Sequence, residues 1–131
     1  VKLCYSGKYT EKEIYGKLIG KGGFNAYLGT NDMRDVTKRA NEGDEKAAEA
    51  KQAFLLQVAK DIGAMACVLN GKVDQIILTG GIAYGQDVCD VLKERTGWIA
   101  PVTVYAGEDE LLALAQGALR VMNGEEKAME Y

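Results

Sequence analysis

Histidine is absent from all 131 residues. A histidine general base and a histidine metal ligand are therefore both excluded from this stretch. Cysteine is sparse as well: Cys4, Cys67 and Cys89 are odd in number and lack C-x-x-C spacing, so neither a disulfide framework nor a zinc site is expected. Basic charge is not in excess. With a net charge of -3, a pI near 5.0 and no basic stripe interleaved with aromatics, a nucleic-acid partner is excluded. No apolar run approaches the length of a membrane span, and no signal-peptide pattern opens the chain. Internal repeats and low-complexity linkers are missing too. A soluble protein of a reducing cytoplasm is expected.

What is present suits one ordinary globular domain, with 47% hydrophobic and 27% charged residues. Such a chain should bury a core. It opens at Val1 rather than at methionine, and residues 1–5 read like the end of a helix already under way, so a fragment is expected.

The stretch on which the rest hangs is V-D-Q-I-I-L-T-G-G-I-A-Y-G at residues 73–85. Ile76, Ile77 and Leu78 form an unbroken apolar run, which predicts a strand buried on both faces. Thr79, Gly80 and Gly81 end it in a turn that can lie close to a ligand. Beyond the carboxyl end of a strand in an open α/β sheet is where ligands settle. A helix over 86–96 follows, with Val88, Cys89, Val91 and Leu92 inward. Pro101 then precedes a β-branched run at 102–105, predicting a second, parallel strand.

Upstream, Thr10 and Glu13 have the form of a capping box for a short helix to about Leu18. The cluster Gly20-Lys21-Gly22-Gly23 lacks phosphate-loop spacing and reads as a turn. Thr30 or Asn31 is expected to cap a helix to about Ala40 or Asn41. From 45 to about 69 the spacing is helical, with Phe54, Val58, Ile62, Met65 and Leu69 as its apolar stripe. Beside it Ala59, Gly63 and Cys67 make a row of small residues that would let another helix come close. Glu108, Asp109 and Glu110 lead into a last helix, where Ala113 and Gly117 form a second small-residue pair and Asn123-Gly124 the stop. Carboxylates in a first turn are favoured by the helix dipole without any metal. They could also hold magnesium. The charged tail, 125–131, reads as peripheral.

Three segments, in this order and spacing, resemble one family. T-G-G-I at 79–82 resembles the adenosine loop of the acetate and butyrate kinases, relatives of the sugar kinases and actin. N-D-M-R at 31–34 is similar to that family's D-F-R nucleotide-contacting segment. The acidic start at 108–110, followed by A-L-A-Q-G-A at 113–118, resembles its last ATP-domain helix. L-C-Y-S-G-K-Y-T near the start, with G-K-G-G and L-G-T-N-D, is nearer the butyrate branch, and the likeness runs over essentially the whole chain.

The resemblance implies an α/β fold, part of a ribonuclease H-like (actin-like ATPase) domain with a short parallel sheet packed by several helices. Residues 1–131 would be the C-terminal portion of the nucleotide-binding domain, with 1–43 a helical and loop segment and 44–124 a helix-strand-helix-strand-helix core. An N-terminal domain, both phosphate loops and all catalytic residues would lie upstream, and this segment alone would be inactive. The reaction implied is reversible phosphoryl transfer between ATP and butyrate, or a branched short-chain fatty acid, giving acyl phosphate and ADP with Mg²⁺. Such transfer is mostly positioning and charge neutralisation, so glycine loops, arginines and a metal serve where a histidine base does not. A homo-oligomer is implied as well.

Carried over residue by residue, Gly80, Gly81, Ile82 and Ala83 would contact adenosine, with Tyr84 close by. Asp32, Met33 and Arg34 would flank adenine or ribose, where a guanidinium can stack on a base. Glu110 aligns with the family's magnesium-associated glutamate, or Glu108 or Asp109 if the alignment slips by one or two. Acetate kinases commonly read G-G-I-G-E-N at this loop, whereas here it is G-G-I-A-Y-G, a departure that agrees with the butyrate branch. A non-enzymatic helical assembly or ATP-sensing module, built on the small-residue rows, is the alternative.

Overall fold

Thr10 and Glu13 start the first helix by satisfying each other. The Thr10 N–H donates to Glu13 Oε2 at 2.7 Å and the Glu13 N–H to Thr10 Oγ1 at 3.3 Å, and α1 (Glu11–Leu18) follows. The computed structural model describes residues 1–130; Tyr131, the end of the charged tail, lies outside the described residues. After α1 the chain turns through Gly22, where a Cβ would meet the Lys17 carbonyl oxygen at 2.3 Å, so glycine is required by close approach. Helix α2 (Phe24–Leu28) ends on Gly29 in the left-handed conformation.

Helix α3 (Met33–Asn41) corrects one expectation: its cap is Asp32, not Thr30 or Asn31. The Asp32 carboxylate accepts the Arg34 N–H at 2.9 Å, while Thr30 Oγ1 accepts the Asp32 N–H and shapes the approach. Asp44 caps the long α4 (Glu45–Val68) by accepting the Ala47 N–H at 3.1 Å. Arg39 ties the start of α4 to the end of α2, donating to Asp44 Oδ2 and to the Leu28 carbonyl.

Strand β1 (Ile76–Gly80), a 3-10 turn (Gly81–Tyr84), α5 (Gln86–Thr96), β2 (Val102–Ala106) and α6 (Glu110–Met122) complete the chain. The strands pair in parallel, with Ile76 opposite Val102 and Gly80 opposite Ala106. Met33, Val36, Leu55, Val88 and Leu92 form the buried core where α3, α4 and α5 meet, with Phe24, Phe54, Val58 and Leu78 packed around it. Phe24 and Phe54 lie 5.3 Å apart, centroid to centroid, in a tilted pair.

Three expectations about burial are corrected. Strand β1 is covered on one face only: Ile76 is buried but Ile77 is 58% exposed, because α4 and α5 sit on one side and no described residue covers the other. The buried line of α4 is Ala47, Lys51, Leu55 and Ala66, while Met65 and Leu69 of the expected stripe face outward. The row Ala59, Gly63, Cys67 receives no helix among the described residues: none of them stands within 4 Å of where a Gly63 Cβ would be. Helix α6 contributes no buried residue. No helix of the described residues is long and apolar enough to cross a membrane.

Candidate functional site

Beyond the carboxyl ends of the two strands, two loops are joined into one surface. Gly80 leaves β1 at φ 85°, ψ 178°, a conformation that glycine alone adopts at ease. Its N–H donates to the Gly107 carbonyl at 3.1 Å, and the Gly107 N–H returns a bond at 3.4 Å. The Gly81 N–H donates to Glu108 Oε1 at 3.1 Å. Gly107 itself stands at φ 137°, with the Tyr84 hydroxyl 3.3 Å from where its Cβ would be. The turn is held from below by the Gly85 N–H on the Ile82 carbonyl and by the Cys89 thiol donating to the Ala83 carbonyl at 3.3 Å. Ile82 and Tyr84 are exposed, whereas Ala83 is buried. An apolar groove of about 370 Å³ runs under the turn, lined by Phe54, Val58, Ile62, Ile82, Ala83 and Cys89 among others.

Asp32, Met33 and Arg34 occupy the start of α3. Arg34 forms a two-pronged pair with Asp32, Nε to Oδ1 at 3.0 Å and a terminal nitrogen to Oδ2 at 2.6 Å. That side-chain bond, and then the Arg34 N–H, hold the Asp32 carboxyl down at about 2. The Arg34 side chain as a whole remains 93% exposed. Met33 points the other way, into the core cluster that also contains Val88 and Leu92 of α5. No hydrogen bond among the described residues joins Arg34 to the glycine turn; the link between the two segments is the core, where Met33 shares a cluster with Val88 and Leu92 of α5, the helix that follows the turn.

Glu110 is the exposed first residue of α6. Among the described residues no three or more cysteines, aspartates or glutamates stand close enough to hold a metal ion. Glu110 offers one carboxylate, and Glu108 is engaged with Gly81, so these residues do not form a cation site by themselves. Magnesium is commonly bound by one or two carboxylates plus substrate phosphates. Two features escaped the sequence reading. Glu108 as partner of Gly81 is 27 residues away and has no local signal. The pairing of buried Lys51 with Asp87 did have one: a lysine on the line Ala47, Lys51, Leu55 interrupts an apolar face.

The sequence model of the acetokinase family matches residues 4–127. A probable butyrate kinase of Clostridium botulinum (strain Alaska E43 / Type E3) is 59% identical over all of this chain, which covers 37% of that protein. Butyrate kinase 2 of Clostridium acetobutylicum is 57% identical, with the same coverage. The crystal structure of a propionate kinase from Francisella tularensis subsp. tularensis SCHU S4 superposes with a TM-score of 0.71 at 23% identity, over 83% of this chain and 34% of its own. That likeness supports the expected α/β, actin-like ATPase fold. The chain thus spans little more than a third of the length of the curated relatives it matches. A helical assembly module is not favoured by these relatives, and with nearly its whole length matched, the chain belongs to the acetokinase family.

Proposed function

We propose that this chain is the adenosine-binding part of a carboxylate kinase, which transfers phosphate reversibly between ATP and butyrate or a branched short-chain fatty acid. The observation that carries the reading is the joined pair of loops around Gly80, Gly81 and Glu108, in a chain with butyrate kinase relatives. The Gly81 amide is already taken by a carboxylate, so the turn suits an uncharged base and sugar better than a phosphate. Ile82 and Tyr84 offer exposed side chains to the nucleoside, and Ala83 forms the floor beneath them. Arg34 would stack on or bond the base, oriented by Asp32. Met33, being buried, would contribute backbone alone.

In the reaction the bond between the terminal phosphorus and the bridging oxygen of ADP breaks as a carboxylate oxygen bonds to phosphorus. No residue of this chain is assigned to that step. Mg²⁺ would neutralise the phosphate charge, with Glu110 as one contributor beside groups outside this sequence. A cytoplasmic homo-oligomer completes the proposal, in keeping with three free cysteines.

The test uses the complete protein with ATP and acetate, propionate, butyrate or isobutyrate, trapping acyl phosphate as hydroxamate. Product is expected with butyrate or isobutyrate, and Arg34→Ala should raise the KM for ATP while sparing that for the acid. Absence of product with every acid overturns the reaction; unchanged ATP kinetics in the variant overturns the role of Arg34.

A further inference from the structure

Lys51 lies on the buried face of α4, four residues from both Ala47 and Leu55, and is only 7% exposed. A charge removed from water is unfavourable without a partner. Its partner is on another helix: Nζ donates to Oδ2 of Asp87 in the first turn of α5. Val88 and Cys89 bury the inner side of that turn, but no side-chain cap bond holds its start. Gly85 is the cap residue and has no side chain to offer. Asp87 Oδ1 lies 3.3 Å from where a Gly85 Cβ would stand, so the carboxylate closes over the joint between the glycine turn and α5. The joint continues into the turn through the Gly85 to Ile82 and Cys89 to Ala83 bonds. Apolar contact between α4 and α5 is already supplied by Leu55, Val88 and Leu92. What the ion pair adds is direction, because a hydrogen bond prefers a near-linear alignment of donor and acceptor as well as a set distance.

We propose that Lys51 is a positioning residue for the nucleotide: through Asp87 it sets the start of α5 and with it the turn Gly80 to Tyr84. The inference rests on the reading of that turn as the adenosine loop.

The complete protein, Lys51→Met, Lys51→Arg and the double variant Lys51→Met/Asp87→Asn are compared by calorimetric titration with MgATP, by kinetics and by melting temperature. Lys51→Met is expected to weaken MgATP about tenfold. The KM for butyrate should change by less than about twofold, since a loop-positioning defect acts on one substrate. Lys51→Arg should recover most of the affinity, and the double variant should be no weaker than Lys51→Met. Should Lys51→Met fail to fold, the double variant, which leaves no unpaired carboxylate at 87, carries the same comparison. A folded variant with native MgATP affinity overturns the proposal, as does a proportional loss of ATP and butyrate affinity, the mark of a packing defect. A native protein that binds no MgATP overturns the adenosine-loop reading itself, and the proposal with it, before any variant is compared.

Discussion

Replacing Gly80 by alanine should weaken nucleotide binding without any steric clash. At φ 85°, ψ 178°, a side chain at this position costs ~1–3 kcal/mol of backbone strain. Nothing lies within 4 Å of where the Cβ would be, so strain is the whole effect. Gly81 is the opposite case. Its backbone is not in the left-handed region, and its Cβ would sit 2.8 Å from Glu108 Oε1, the end of an exposed and flexible side chain. Gly81→Ala therefore displaces Glu108 and loses one hydrogen bond, worth ~0.5–1.5 kcal/mol. If alanine at 80 lets the free loop relax, binding must restore the strained shape. The same ~1–3 kcal/mol then appears as a roughly 5- to 150-fold weaker dissociation constant for MgATP. Calorimetric titration of the complete protein reads this directly. Gly81→Ala made on top of Glu108→Ala should have no further effect, since both the crowding and the bond are gone. Native MgATP affinity in Gly80→Ala, or a larger loss in Gly81→Ala than in Gly80→Ala, refutes the reasoning.

Leu55→Ala, at a fully buried site, should destabilise the chain by ~2–5 kcal/mol in urea unfolding, whereas Leu56→Ala, at a position 47% exposed, should stay within ~0.5 kcal/mol. Asp32 titrates at about 2 when folded, below its ordinary 3.8, so its contribution to stability is full above pH 3.8 and is lost as pH falls toward 2. Carboxyl-carbon NMR should find that midpoint, and Arg34→Ala should move it upward. Helix α6, 13 residues long with none buried, is near the length at which an isolated helix is marginal. Its amides in this chain should exchange well before those of α4, and equal protection would refute that.

Helix limits were legible where a cap is a matter of nearby residues. Thr10 with Glu13, and Gly97 after α5, mark their elements from a few side chains. The cap of α3 was less so, because Thr30, Asn31 and Asp32 are all good cap residues, and the choice fell to the one whose carboxylate also holds Arg34. Burial was harder. The run Ile76, Ile77, Leu78 states that cover is wanted, but not which element supplies it, and within residues 1–130 one face stays bare. On α4 the buried line includes two alanines and a lysine, which hydropathy ranks below the more conspicuous Met65 and Leu69.

The glycine turn was legible because its demand is local: a strand that must end and bend sharply needs Gly80 whatever surrounds it. Its partners were less so: Glu108 lies 27 residues from Gly81 and reads locally as an ordinary solvated charge, and Lys51, though its place on an apolar line marks it as buried, lies 36 residues from Asp87, so nothing local names the carboxylate that meets it. Glu108 changes what the turn can be asked to do. Two adjacent glycines after a strand are equally compatible with a phosphate cradle and with close approach to a nucleoside. With the Gly81 N–H donated to a carboxylate, a phosphate arriving there would have to displace a group of its own sign and give up that hydrogen bond as well. A base or ribose carries no such charge and can rest against the glycine backbone with Glu108 left in place. That asymmetry is the physical ground for proposing the adenosine end of the nucleotide at Gly80 and Gly81, and for looking to groups outside these residues for its phosphates.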